Sequence, residues 1–296
     1  MNIIPENLEI HKANKTLENI IDNTKIKEKL LYKVKSDFHD IYVVKNKFGK
    51  FLKYKDTYQA GIFDCDNYKG NLPYINYFLI PYLINKNAKN VLFIGMGSGK
   101  IINQYEILFE KLNKIDIVDI EEYIFPVAEK YFDFKVSDKM NFYLQDGIIY
   151  LKNSKTKYDV IITDIAGNEG CDTRFCEDEF FKIIKSKLTA KGIFVINLPS
   201  SRDIFNKKNE FFLNTLNNLK GIFSNINLYN GETSNKIFYK TFFNIDKPVF
   251  DITNAILICS NKNTTNIDED IEEIYKKLSI EMEEYLKDKT EIQNIF

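Results

Sequence analysis

From residue 88 onward, short apolar runs alternate with stretches whose apolar positions recur at helical spacing. The runs at 91–95, 115–119, 141–145, 158–163 and 192–197 predict strands, and the stretches at 99–112, 122–131, 147–153 and 177–188 predict the helices between them. A helix at 208–218 and strands at 222–228 and 254–260 continue the series. Alternation of this kind predicts an α/β fold of Rossmann-like form, a mostly parallel sheet with helices on both faces.

Upstream the period changes. Residues 40–45 (DIYVVK) and 48–54 read as two strands joined at Asn46-Lys47, a small hairpin. Leu17, Ile20 and Ile21 predict one short amphipathic helix after the polar residues 14–16. Residues 71–84, with Leu72, Ile75, Phe78, Leu79 and Leu83, predict a helix that carries Tyr74 and that Pro81 kinks or divides. The aromatic-rich insertion at 229–251 reads as a hairpin or lid. In the tail, Ile267, Ile271, Ile274, Tyr275, Leu278, Met282, Tyr285 and Leu286 fall at helical spacing, so one amphipathic helix is expected to pack on the domain or on a second subunit. The implied division is 1–84, a helix plus a small β-domain; 85–262, the α/β domain; and 263–296, the C-terminal helix.

Composition narrows the function. A chain of 296 residues can bury a sizeable core, and a net charge of −1 gives no field that would draw nucleic acid or a membrane surface. No apolar run is long enough to span a bilayer. The four cysteines form no C-x-x-C pair and no secretory signal precedes them, so reduced thiols and a cytoplasmic location are expected. With only His11 and His39, neither a histidine-rich metal site nor a Ser-His-Asp triad is expected. Arginine is scarce, which makes Arg174 conspicuous in a candidate active-site loop.

The chemistry gathers at the strand ends. In NVLFIGMGSGK (90–100) an apolar strand runs into Gly95, Gly97 and Gly99 and then into a helix, the layout of a nucleotide-like site. A dinucleotide fingerprint would need glycine at Lys100; a phosphate-cradling P-loop would need glycine at Ile94 and Ser or Thr at Ile101. What remains is G-x-G-x-G, followed about 20 residues later by an acid at a strand end, Asp119, where a carboxylate can hold a ribose diol. Asp146-Gly147 follows the third strand, where an acid can accept from an adenine amino group, and Asp164 ends the fourth (YDVIITD). Each acid alone could equally cap a helix or form a turn. Together they line up at the carboxyl ends of one sheet, where such sheets bind ligands.

These motifs resemble the spermidine synthase (polyamine aminopropyltransferase) family, a branch of the class I S-adenosylmethionine-dependent methyltransferase fold. The resemblance runs over about residues 30–262. It includes SDFHDIYVV, Asp56-Thr57-Tyr58-Gln59, VLFIGMGSG, Val118-Asp119-Ile120-Glu121, Gln145-Asp146-Gly147 and the strand to Asp164. It implies a donor site at Gln59, Gly95, Gly97, Ser98, Gly99, Asp119, Ile120, Glu121, Asp146 and Gly147. It implies Asp164 and Tyr74 as catalytic residues, and Gly167, Asn168, Glu169, Asp172 and Arg174 as a mobile acceptor-binding loop. The implied co-substrate is S-adenosylmethionine or its decarboxylated form, no metal is expected, and the expected partners are a small amine or polyamine-like acceptor and further copies in a homodimer or homotetramer.

Three positions depart from the family pattern. Ser98 stands where the synthases carry an aspartate that holds the donor amine, Gly167 where they carry a second aspartate, and Ile75 where a polar residue follows the conserved tyrosine. A serine tolerates a donor carboxylate that an aspartate would repel. Residues 164–198 also resemble the spermidine-synthase-like branch that shares this loop. The expectation is therefore a transferase using intact S-adenosylmethionine, for methyl or aminocarboxypropyl transfer. The alternatives are an aminopropyltransferase acting on a diamine, and a non-catalytic nucleoside-binding member.

Overall fold

The computed structural model describes residues 27–55, 57–65, 68–70, 72–165, 172–201, 209–243, 252–261, 271–280 and 282–292. The helix expected around Leu17 lies outside them, as do Asp56, Gly167, Asn168, Glu169 and residues 244–251 and 262–270.

Two sheets organise the chain. The first is a five-stranded antiparallel meander of β1 (Lys29–Lys35), β2 (Asp40–Asn46), β3 (Gly49–Tyr54), β4 (Thr57–Cys65) and β5 (Tyr68–Gly70). The expected hairpin is thus its β2–β3 pair. β4 pairs along β3 although its sequence, TYQAGIFDC, alternates poorly. Its small residues serve packing instead: a β-carbon on Gly61 would lie 2.4 Å from the Phe51 ring.

The second sheet has eight strands: β6 (Asn90–Ile94), β7 (Lys114–Asp119), β8 (Met140–Leu144), β9 (Tyr158–Thr163), β10 (Leu188–Ser201), β11 (Asn225–Tyr229), β12 (Ile252–Ser260) and β13 (Lys289–Glu291). Their order is β13-β11-β12-β10-β9-β6-β7-β8, parallel from β10 to β8 and antiparallel elsewhere. This is the α/β Rossmann-like, methyltransferase-type arrangement. Strand order reverses at β6, with β7 on one side and β9 on the other. The parallel strands read as apolar runs because both of their faces are covered, with Val91, Leu92, Ile115, Ile117, Val160 and Ile161 fully buried. No helix among the described residues is long and apolar enough to cross a membrane.

Three elements differ from the expectation. Residues 71–84 form a 3₁₀ helix, Pro73–Leu79, that passes into an α-helix, Ile80–Ile84. The division falls beside Pro81, which sits in the first turn of the second piece, where its missing N–H costs nothing. The described part of the 229–251 insertion is a helix, Glu232–Phe243, rather than a hairpin. The tail is not one helix either. Helix Ile271–Leu278 stops where Ser279 takes a φ of 56°, and a short helix, Glu283–Leu286, and β13 follow. The break lets Ile280, Met282 and Tyr285 all bury, which a continuous helix would not allow.

This tail braces the 3₁₀ helix that carries Tyr74. The Tyr285 hydroxyl accepts from Asn76 Nδ2 at 3.0 Å, and Asp288 accepts from the Tyr77 hydroxyl and from the Thr233 N–H at 2.8 Å.

Candidate active site

A cavity of about 330 Å³ opens at the carboxyl ends of β6, β7, β8 and β9, roofed by the first sheet and by the 3₁₀ helix. Its shape starts with the glycine loop. Gly95, Gly97 and Gly99 all have positive φ, of 95°, 54° and 72°, a region closed to most side chains. Gly95 is also pressed against the neighbouring strand end, where a β-carbon would lie 2.2 Å from the Asp164 carbonyl oxygen. The loop therefore passes directly over the start of the β9 exit.

Asp119, at the end of β7, holds the loop from below. Its Oδ2 accepts from Met96 N–H at 2.8 Å and its Oδ1 from Glu121 N–H at 2.9 Å. Burial raises its pKa, opposed only in part by the two amide hydrogen bonds. Each carboxylate oxygen keeps a further lone pair for a ligand hydroxyl. Ser98, almost fully buried, and the more exposed Ile120 line the same end of the cavity.

Asp164 ends β9. Its Oδ2 accepts from the Tyr74 hydroxyl at 3.1 Å and its Oδ1 from Asn197 Nδ2 at 2.9 Å. Burial raises its pKa, opposed by those two bonds from Asn197 and Tyr74. Tyr74 itself is held far above the ordinary phenol range by burial and then by the Asp164 charge, so it stays a donor. The result is a carboxylate oriented by two neutral donors, with no cation paired to it among the described residues, the environment that makes a carboxylate a better base.

Asp146 ends the third strand region. Its Oδ1 caps helix Gly147–Asn153 through Ile148 N–H at 2.9 Å and Ile149 N–H at 3.0 Å. Its Oδ2 faces Arg174 Nη2 at 3.1 Å. Arg174 is held in turn by Asp172, with Nε and Nη2 on the carboxylate at 2.6–3.1 Å. Asp146 and Asp164 stand three strands apart, about 14 Å at ordinary strand spacing.

The structure thus brings Gln59, Tyr74, Gly95, Gly97, Ser98, Asp119, Ile120, Asp146, Gly147, Asp164, Asp172 and Arg174 to one cavity. Gly99 and Glu121 do not line it. Gly99 turns the chain into helix Lys100–Leu108. Glu121 is buried and bound by Ser36 Oγ and by His39 Nδ1 at 3.3 Å. Burial pushes the Glu121 pKa up, but the bonds from His39 and Ser36 bring it below the ordinary range. Arg174, expected with the acceptor, lies beside Asp146.

Asn197 and His39 were not anticipated. Asn197 lies in β10 beside β9, and applying the strand-end reasoning to β10 as well would have found it. His39, in SDFHDIYVV, stacks on Tyr54 with ring centroids 4.0 Å apart and lines the cavity. Among the described residues no group of three or more His, Cys, Asp or Glu could hold a metal ion.

Comparison with known proteins gives a consistent picture. The profile of the spermine/spermidine synthase domain matches residues 78–234. The polyamine aminopropyltransferase of Buchnera aphidicola subsp. Acyrthosiphon pisum (strain Tuc7) is 31% identical over 208 residues, 68% of this chain and 69% of that protein. The polyamine aminopropyltransferase of Methanocaldococcus jannaschii is 31% identical over 183 residues, 60% of each chain. Among solved structures, the spermidine synthase of Thermotoga maritima superposes with a TM-score of 0.64 at 16% identity, covering 86% of this chain and 81% of that one.

Removing the Asp119 carboxylate should weaken nucleoside binding. Hydrogen bonds to an ionised carboxylate contribute roughly 1.5–3 kcal/mol, so Asp119→Ala should cost about tenfold or more in affinity for methylthioadenosine, the nucleoside common to both candidate donors. Calorimetry reads this directly, and unchanged affinity would remove the ribose assignment.

Proposed function

Because the chain belongs to the spermine/spermidine synthase family, we propose that it is a transferase that moves an aminopropyl group from decarboxylated S-adenosylmethionine to a diamine or similar small amine. The observation that carries this reading is Asp164: a carboxylate of raised pKa in the cavity, held by Tyr74 and Asn197. The names of the relatives, polyamine aminopropyltransferases, support it against the expectation of an intact donor.

The acceptor amine arrives as an ammonium, since primary amines of the lysine type titrate near pH ~10. Asp164 takes its proton and leaves a nitrogen lone pair aimed at the donor carbon. The sulfonium supplies the leaving group: as the N–C bond forms the C–S bond breaks, and its electron pair stays on sulfur as a neutral thioether. Asp119 and the glycine loop hold the nucleoside, Asp146 its base, and Tyr74 and Asn197 keep the Asp164 carboxylate facing the acceptor. Most of the rate comes from this positioning together with proton removal.

One observation favours a second reading. Ser98, almost fully buried at the cavity wall, brings no negative charge to the donor tail. That suits the carboxylate of intact S-adenosylmethionine, with methyl or aminocarboxypropyl transfer.

Two experiments test the proposal. Asp164→Asn should lower turnover by about 10²–10⁴-fold with methylthioadenosine affinity little changed, because a base acts mainly in the transition state. The substitution should not lower the melting midpoint at neutral pH. A carboxyl whose pKa is raised on folding adds stability only below its unfolded pKa, near ~3.9, and loses it as pH rises through the folded value. Wild-type turnover in the variant would leave Asp164 a structural role only.

Titration of both donors separates the two readings. Wild type should prefer the decarboxylated donor, and Ser98→Asp should widen that preference by several-fold. An aspartate there repels a carboxylate and attracts an ammonium, with about 1 kcal/mol surviving solvation. A wild type that prefers intact S-adenosylmethionine would establish the second reading instead.

A further inference from the structure

Arg174 is one of two arginines in the chain, and it lies at the nucleoside end of the cavity rather than beside Asp164. Asp146 Oδ1 is used up by two backbone N–H groups, which leaves Oδ2 as the acceptor facing the cavity. Arg174 Nη2 stands 3.1 Å from that same oxygen. The guanidinium is not free to swing. Asp172 grips it along the Nε–Nη2 edge, its carbon lies 5.8 Å from the Phe175 ring centre, and Phe175 is itself buried. Nη1 has no protein partner among the described residues, and the side chain is half exposed at the cavity rim. A fixed acceptor and a fixed donor therefore sit side by side.

That pairing matches one edge of adenine, where the 6-amino group donates and the adjacent N1 accepts. We propose that Arg174 is a specificity-determining residue that donates to N1 of the donor's adenine while Asp146 Oδ2 accepts from the 6-amino group. The Asp172 clamp holds the guanidinium in place for this bidentate contact. The inference rests on the proposed adenosyl donor and deepens it by naming what reads the base. It also explains why a long cationic side chain is kept among Asp146 and Asp172 at the rim.

The test is a cycle that changes protein and ligand together. Calorimetry measures methylthioadenosine and its 1-deaza analogue, in which N1 becomes C–H, on wild type and on Arg174→Leu. Wild type should bind the analogue about fivefold more weakly than the parent, in keeping with loss of one charge-assisted hydrogen bond at a half-exposed site. Arg174→Leu should bind the parent about as weakly as wild type binds the analogue, and should not distinguish the two ligands.

Equal binding of both ligands by wild type would overturn the proposal without using any variant. Retained discrimination in Arg174→Leu would also overturn it, assigning N1 to another donor such as the Gly147 N–H. A uniform loss for both ligands with discrimination intact would reduce Arg174 to a structural clasp, which equally overturns it. Failure of wild type to bind methylthioadenosine at all is a different result, and it would count against the proposed donor rather than against Arg174 alone.

Discussion

The backbone of Gly95 runs against the carbonyl of Asp164 so closely that no side chain fits between them. This contact follows from sheet order. β6 and β9 are parallel neighbours, the Asp164 N–H donates to the Ile94 carbonyl at 3.0 Å, and both chains leave the sheet at the same level. The glycine loop and the proposed base are therefore fixed relative to each other by backbone geometry rather than by side-chain packing. In the proposed function, a nucleoside held on the loop would place its sulfur-bearing end near Asp164, because the two are adjacent strand exits. Positioning of this kind is the main contribution a protein can make to a displacement at a sulfonium carbon.

The buried acids around this contact differ in how they are satisfied, and the proposed roles follow that difference. Asp116, inside β7, is fully buried and accepts from Tyr158 at 2.7 Å, Tyr150 at 2.9 Å and Lys114 at 2.8 Å. It is saturated and joins the sheet to its covering helix. Asp119 is bound by two backbone amides, which suits a rigid acceptor of hydroxyls. Asp146 pairs with a guanidinium and caps a helix. Asp164 is held instead by two neutral side chains, Tyr74 and Asn197, with no cation paired to it among the described residues, and burial raises its pKa. Burial raises Asp119 as well, but both of its oxygens are tied to loop amides, so Asp164 is the acid proposed to take the proton.

Much of this was legible in the residues because a parallel sheet writes a strong signal. Its strands are buried on both faces, so they appear as apolar runs, and the acids at 119, 146 and 164 stand out where those runs stop. Strand β4 was not legible because it holds its place through backbone pairing and close packing of Gly61 on Phe51, neither of which leaves a period in the sequence. The tail misled for the opposite reason. Its period is helical on both sides of Ser279, but one residue in a left-handed conformation ends the helix there, and the chain beyond it returns to the sheet as β13 beside β11. The partnership of Arg174 with Asp146 is set by the path of the chain between β9 and the helix Asp178–Lys187, which spacing alone does not reveal. His39 escaped because it enters from the connection before β2, and Asn197 because the strand-end reasoning stopped at β9, although the apolar run of β10 ends at that residue.

The central claim is that a base beside the glycine loop delivers an aminopropyl group to an amine. The most direct measurement is mass spectrometry of the products after incubation with decarboxylated S-adenosylmethionine or the intact form, over a panel of diamines. The account predicts methylthioadenosine together with a diamine enlarged by one aminopropyl unit, formed from the decarboxylated donor. Methylated product with S-adenosylhomocysteine from the intact donor, or no product from either donor across the panel, would contradict it.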